Sequence, residues 1–575
     1  MIEKVSLSSN NKSKYAPCCN NAKAGQNPSF SGMGDFLIRG VQACEREPMI
    51  NVTVLDLSTA IIPRTFFETF IGSEQKDENG NKKKRKLNLI GGFEALRREG
   101  SGLLINCIIP SFIVMGAAKL LNRPIMGDFN KSSLVKCWAN GDAIDKIEKY
   151  YKAADGTTNK EKVFNTLKSM INDMEGVDGD ISQGGLKKFK DIFTKDSDTD
   201  AILHEITDNI VKDKPNSKAI NKSINKLIDK TGISENIRFN GETGFSSNSF
   251  KSLMETSSRV LHGVVKEDIK DTDKLSKYFS KARTLVNAKS ILGLGIIIPL
   301  AIAAQPINRW ITHKISGKKG APLYNDDKER VLTPEEKTKL TTQKCFAVPL
   351  MAGVAGLSML MDRPSLKMFQ FKNIFPTMDQ ARIISAATFS SRIAAAEDSN
   401  ELKENTIRDI ATFSSFYFLG DYAAKGIATF LEKCNKDVKL INRLKPADKD
   451  ANIFKKFWNW AKHTNIKSSD ELNAIKDTAL RTKSKNLRTI CQIGNIAFSL
   501  LSLGIFIPLY TRTQTNKKEL AKRKAVEAER KAASFTAAND SNESASSTNK
   551  TYGRTSSSPS SSILSGTSFE KFIKS

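Results

Sequence analysis

Residues 290–310 read SILGLGIIIPLAIAAQPINRW, and this stretch decides the fold class. It has no charged side chain before Arg309, and it closes on Trp310 at a basic boundary. A helix of this length matches the hydrocarbon thickness of a bilayer, and a Trp beside basic residues suits the headgroup layer. The stretch is therefore expected to be a membrane-spanning helix. Toward the N-terminus, Gly102–Leu121 (GLLINCIIPSFIVMGAAKLL) has one Lys, near its end, where it can snorkel. Toward the C-terminus, Cys345–Met361 (CFAVPLMAGVAGLSMLM) is short but uncharged, with Gly353 and Gly356 available for close helix packing. Thr489–Thr511 (TICQIGNIAFSLLSLGIFIPLYT) has no charge at all.

Three further runs are apolar but carry charges. Met49–Ile71 includes Asp56, Arg64 and Glu68, each of which needs a partner inside a bilayer, so an interfacial or re-entrant helix is expected in preference to a span. Gln380–Ala396 carries Arg382 and Arg392, and Ile407–Leu431 carries Arg408, Asp409, Asp421 and Lys425. These two read as a membrane hairpin or as an interfacial pair.

The 39% hydrophobic content and the mean hydropathy of −0.35 look soluble only because the apolar residues are concentrated in these runs. The net charge is +27, and its distribution decides what it means. Residues 122–289 hold 29 basic and 25 acidic residues, so +23 of the charge lies on the flanks of the apolar runs and on the tail. A nucleic-acid-binding domain concentrates basic residues on one compact fold, whereas basic segments bracketing spans follow the positive-inside pattern. A soluble nucleic-acid-binding role is thus disfavoured, and no nucleic-acid partner is expected.

The fold class that follows is all-α. It is a multi-pass helical membrane protein with an inserted helical aqueous domain and disordered N- and C-terminal tails. Residues 1–34 read as a disordered leader and 35–121 as a membrane-associated region with one span. Residues 122–289 form the aqueous domain, where DAIDKIEKYYKAA and KAINKSINKLIDK repeat apolar residues at three and four. Residues 290–511 carry the remaining spans, and 512–575 a basic, coiled-coil-like then Ser-rich tail. Thr333, Pro334 and Glu336 read as a capped helix start.

Candidate sites are few. The membrane-boundary residues are Arg123, Arg309, Trp310 and Arg363, and the intramembrane polar residues are Asn106, Gln305 and Asn495. IIPSFIVMGAAKLLNRP (108–124) and AVPLMAGVAGLSMLMDRP (347–364) echo one another, with Pro124 and Pro364 expected to end their helices. VDGDISQGGLKKF (177–189) echoes a calcium loop, but its register puts Met174, Gly176 and Gly185 where ligands belong, so it reads as a connecting loop. The eight Cys show no CxxC spacing, and Cys107, Cys345 and Cys491 within apolar runs are expected to be buried. The four His lie far apart, and SGKKG (316–320) lacks the remainder of a phosphate loop. No metal, cofactor or catalytic chemistry is expected. AQPINRWITHK (304–314) resembles part of the mitochondrial carrier signature. Asn308 stands where that signature has an acid and no three-fold repeat is visible, so no residue roles carry over.

The expected function is therefore a non-enzymatic membrane scaffold or interaction protein, with protein partners bound through 122–289. A transporter or channel is the alternative, to be recognised by a polar cavity between packed spans. The expected location is the cell's inner membrane with the tail cytoplasmic. Lys76–Arg98, Lys314–Lys344 and Arg512–Lys531 should then share one face.

Overall fold

The computed structural model describes residues 48–66, 69–70, 89–129, 141–194, 198–246, 248–316, 333–361, 369–371, 376–446 and 452–507, with a few isolated residues. The two tails expected to be disordered and Arg363 lie outside the described residues. The described part is predominantly helical, and four of its helices are long and apolar enough to cross a membrane: Gly91–Phe129, Thr272–Ile315, Pro334–Leu360 and Thr478–Phe506. From residue 41 onward the described residues form one compact unit.

Among the described residues, seven long helices make a bundle. α1 runs 48–66, with a π-helical turn at Asp56–Ile61. α2 runs 89–126, with a π-helical turn at Leu104–Ile108. α3 is Thr272–Ser316, α4 Pro334–Met361 and α5 Met378–Ala394. α6 runs 399–434 with a π-helical turn at Ser415–Leu419, and α7 runs 478–506, π-helical from Leu500 to Phe506.

The helices alternate in direction, as their pairings show. At one end, Gln492 donates to Asn51 (2.9 Å), Lys281 donates to the Met126 carbonyl (3.2 Å), and the Phe371 amide donates to Ser290 (3.0 Å). At the other end Arg97 donates to Asn308 (3.0 Å), Arg64 pairs with Glu99 (2.5 Å), and Ser399 donates to Gln343 (2.5 Å). α1, read from sequence as interfacial or re-entrant, is a full member of this bundle. Arg64 finds its partner in Glu99 of α2, which removes one of the costs that argued against it, while Glu68 lies outside the described residues.

Local chemistry explains several boundaries. Thr333 and Glu336 exchange the two bonds of a capping box at the start of α4, as expected from their spacing. Thr377 and Gln380 do the same for α5, and Asp398 and Asp477 cap α6 and α7. α2 runs through Asn122 and Pro124 and stops at Gly127, where φ is +56°. Pro124 was expected to end that helix. It lies in the last turn, and the helix ends three residues later at Gly127, whose positive φ reverses the backbone. Gly353 and Gly356 were expected to pack closely, but an added Cβ at either would meet no atom within 4 Å. Close approach occurs instead between α6 and α7, where a Cβ on Gly420 would lie 2.3 Å from Asn495 Oδ1 and one on Gly494 would lie 2.2 Å from Ile427. Cys107 and Cys491 are buried, but Cys345 is exposed on the outer side of α4.

Beyond the first end of the bundle sits a dome. It contains helices Gly141–Ala153, Asn159–Asn172, Asp198–Ile210, Ser217–Thr231 and Phe250–Lys266. Its core holds Ile147, Tyr151, Leu167, Phe189, Leu227 and Phe250, and it takes in Tyr278 and Phe279 from the first turns of α3. The helical reading of this segment overlooked a small antiparallel sheet in the order β2-β1-β3, formed by β1 (Met174–Val177), β2 (Leu186–Lys188) and β3 (Ile237–Phe239). These strands have three or four residues each, too few to show an alternating pattern in sequence.

A second, later segment joins the dome. After α6 the chain forms β4 (Ile441–Arg443), helix Ile453–His463, β5 (Thr464–Ile466) and the short helix Ser469–Asn473. β4 pairs antiparallel with β5. Gly179, at φ +97°, lets the β1–β2 turn meet this hairpin: its amide donates to Asn442 (2.8 Å), and its carbonyl accepts from the Arg443 amide (2.8 Å).

Candidate functional site: buried ionic networks

The charges carried by α1, α2, α5 and α6 converge inside the bundle. Glu99 on α2 accepts from Arg64 on α1 at 2.5 Å and lies 3.5 Å from Arg392 on α5. Arg392 also donates to Asp409 on α6 at 3.1 Å, and Arg408 reaches the same Asp409 oxygen at 3.1 Å. Arg408 donates in addition to Asn405 at 2.9 Å. Asp56 lies within electrostatic reach of Glu99 and Arg392, and Arg98 within reach of Glu99, Arg64, Arg392 and Arg408. Asp409 keeps 1% of its side-chain surface and Arg392 8%, so this pairing is withdrawn from solvent. Among the described residues, Asp409 Oδ2 and Arg392 Nε have no hydrogen-bond partner.

Desolvating two opposite charges is costly, and the cost is recovered only when several donors converge on each carboxylate. Glu99 and Asp409 each meet two guanidinium groups, which is the arrangement that condition demands. Helices α1, α2, α5 and α6 are thereby fixed to one another in register. An apolar face would allow sliding, but a shared carboxylate does not.

A second network closes the far end of α3. Arg97 donates to Asn308 (3.0 Å) and Thr312 (2.7 Å), and Asn308 donates to Ser101 (2.7 Å). Arg309 pairs with Glu397 (2.9 Å) and with Glu401. Deeper in the bundle, Thr388 donates to Asn106 (2.9 Å), Ser391 to the Ile302 carbonyl, and Arg382 to the Tyr417 carbonyl (3.2 Å). Tyr417 shares a 2.6 Å bond with Ser385.

The residues singled out from sequence are spread across this frame. Arg309 is the centre of the far-end network, and Trp310 is 61% exposed with Lys314 over its ring at 5.6 Å. Arg123 is exposed at the dome end of α2. Asn106, on the π-helical turn of α2, meets α5. Gln305 is buried in α3, and Asn495 is buried against Gly420 where α6 and α7 touch. Asn106 and Asn495 therefore sit in different helix contacts and do not form one site.

Sequence reasoning noted Asp56, Arg64, Arg392, Arg408 and Asp409 as charges within apolar runs and missed that Arg64, Arg392, Arg408 and Asp409 are joined through Glu99. The signal was present: every charge in an apolar run implies a partner in another run, and these three runs supply both signs. Among the described residues no group of three or more His, Cys, Asp or Glu could hold a metal.

A third ionic centre joins dome and hairpin. Asp178 pairs with Lys467 at 2.5 Å and with Lys187, at the loop that resembles a calcium site. Burial works against the charge of Asp178, but the two ammonium groups outweigh it and hold the carboxyl below its ordinary value. Glu471 accepts the Ser234 (3.2 Å) and Glu235 (3.1 Å) amides, and Asn465 donates to Asn236 (2.6 Å). No protein-family model, curated protein or solved structure matches this chain.

Proposed function

We propose that this chain is an integral protein of the cell's inner membrane, whose seven-helix bundle presents the dome to protein partners in a non-enzymatic role. The observation that carries the reading is the attachment of the dome at three places. α2 ends against it, with Lys281 holding the Met126 carbonyl. α3 starts inside its core and runs 45 residues without a break to the far end. The hairpin after α6 is tied to it through Asp178, Gly179 and Ser234. A domain held this firmly keeps a fixed orientation to the bilayer, which suits a binding surface.

Topology follows from the alternating helices. The basic segments 76–98, 314–344 and 512–531 border helix ends at the far end of the bundle, so the positive-inside rule makes that end cytoplasmic and puts the dome outside. α1 adds a crossing ahead of the others and leaves their directions unchanged.

Transport is the second reading, favoured by the buried charges on four helices and by the unpartnered Asp409 Oδ2 and Arg392 Nε. Reconstitution in sealed liposomes separates the two. The interaction reading predicts that proton, sodium, potassium and chloride leak equal those of protein-free liposomes. Flux that Asp409→Asn abolishes would replace it with the transport reading.

A further inference from the structure

The helix Ile453–His463, IFKKFWNWAKH, divides cleanly into two faces. Ile453, Phe454, Phe457, Trp458, Trp460 and Ala461 occupy one arc, and Lys455, Lys456, Asn459, Lys462 and His463 the other. Only Ala461 is buried; Ile453 is 87% and Phe454 73% exposed. An arc this apolar is not left to water in a stable fold without a cover.

Its position identifies the cover. Trp460 Nε1 donates to Thr429 Oγ1 at 3.3 Å, Lys425 Nζ donates to the Ala461 carbonyl at 3.3 Å, and Tyr422 meets both Phe457 and Trp460. The helix thus lies against α6 between Tyr422 and Thr429. At that level α6 packs on Cys491 to Asn495 of α7, the first turns of the uncharged run Thr489–Thr511. Beside it, Phe430 is 65% exposed on α6, and Ile490 and Ile493 are each 48% exposed on α7. The exposed arc thus lies at the level where the uncharged run of α7 begins, and the helix's opposite face is cationic.

We infer that Ile453–His463 lies in the dome-side headgroup layer of an anionic bilayer. Its aromatic arc enters the acyl boundary, and Lys456 and Lys462 face phosphate. This rests on the membrane reading proposed above. An apolar arc with a lysine face is the composition that binds such an interface, and Trp and Tyr settle at headgroup depth. The basic stretch that follows on the same side is met by protein instead: Lys483 pairs with Asp437 (2.9 Å), Arg488 donates to the Lys467 carbonyl (3.0 Å), and Arg481 and Lys485 lie within electrostatic reach of Asp229. With this helix seated in lipid, the hairpin clamps the dome to the membrane plane as well as to the bundle.

The test uses the full chain in nanodiscs containing phosphatidylglycerol, with bromine placed at shallow or deep acyl positions. The chain has four Trp, so Trp138→Phe with Trp310→Phe leaves only Trp458 and Trp460 as reporters. A second variant keeps Trp310 alone and reports whether the bundle is inserted. The expected result is quenching of Trp458 and Trp460, stronger for shallow than for deep bromine. Lys456→Glu with Lys462→Glu should reduce it several-fold in phosphatidylglycerol and leave it unchanged in phosphatidylcholine. Quenching of Trp310 without quenching of Trp458 and Trp460 would overturn the inference and leave the membrane reading standing. Absence of quenching at Trp310 would remove the membrane reading itself. Shielding of Trp458 from aqueous acrylamide without bromolipid quenching would mean that protein covers the arc, and would also overturn the inference. Equal quenching in the charge-reversed variant would refute the role of the two lysines.

Discussion

In the dome the deepest side chains are apolar: Tyr151, Phe189, Phe250, Tyr278 and Phe279 are fully buried, and pairs such as Lys160–Asp208 and Lys168–Asp200 lie on the surface. The bundle also buries apolar residues such as Leu55, Met351 and Phe413, but it differs in two respects. Large apolar residues such as Phe112, Ile291, Phe346 and Phe506 are exposed, and Arg392, Asp409 and Gln305 are buried. The dome surface is polar, whereas the bundle's outer faces carry large apolar side chains, as the membrane reading proposed above requires. The difference shows what holds each part together. The dome draws on burial of apolar surface, which is favourable only against water. In an apolar surround that drive is lost, and directed bonds between helices take its place.

The contrast predicts unequal responses to substitution. The largest effect is expected for Asp409→Ala, which leaves Arg392 and Arg408 buried without their shared carboxylate. The loss should be about 3–5 kcal/mol, read as a drop in the thermal midpoint of the detergent-purified chain. A change within measurement error would mean that the pairing contributes nothing to the bundle.

Leu227→Ala in the dome core should cost about 2–5 kcal/mol through lost burial and the cavity left behind. Hydrogen exchange should show the loss in the dome helices and leave the far end of α3 protected.

Asp178→Asn removes the charge between Lys187 and Lys467, and should weaken the hairpin's attachment by about 1–3 kcal/mol at neutral pH. The pH dependence has a definite sign. The folded carboxyl titrates below its unfolded value near 3.9, so its stabilisation is present above that value and is lost as pH falls through the lower folded value. Proteolysis of the hairpin should therefore quicken on acidification in the native chain, with a smaller change in Asp178→Asn. The smallest effect is expected for Lys160→Met, whose exposed pair with Asp208 contributes about 0–1 kcal/mol.

Hydropathy was enough to find the four helices that are long and apolar enough to cross a membrane, since each contains a long run with few charges. It was not enough for α1, α5 and α6. Asp56, Arg64, Arg392, Arg408 and Asp409 lower the average of those segments, and their compensation lies on helices hundreds of residues away or one hairpin later. Glu99, the partner of Arg64, lies just ahead of the run that begins at Gly102 and so outside every apolar segment. The dome helices at Gly141–Ala153 and Ser217–Thr231 were legible because their apolar residues recur at three and four without interruption. The β4–β5 hairpin and its attachment to the Gly179 turn were not legible. Three-residue strands carry no period, and Asn442 bonds to Gly179 across 263 positions.

The alternating bundle with its dome on one side is tested most directly by thiol accessibility in sealed vesicles. Single cysteines would be placed at Lys214, Gly320 and Asn516 in a chain otherwise free of cysteine. A membrane-impermeant reagent added to right-side-out vesicles should label position 214 alone, and added to inverted vesicles should label 320 and 516 but not 214. Labelling of 320 and 516 from opposite faces, or of 214 and 320 from the same face, would contradict the account.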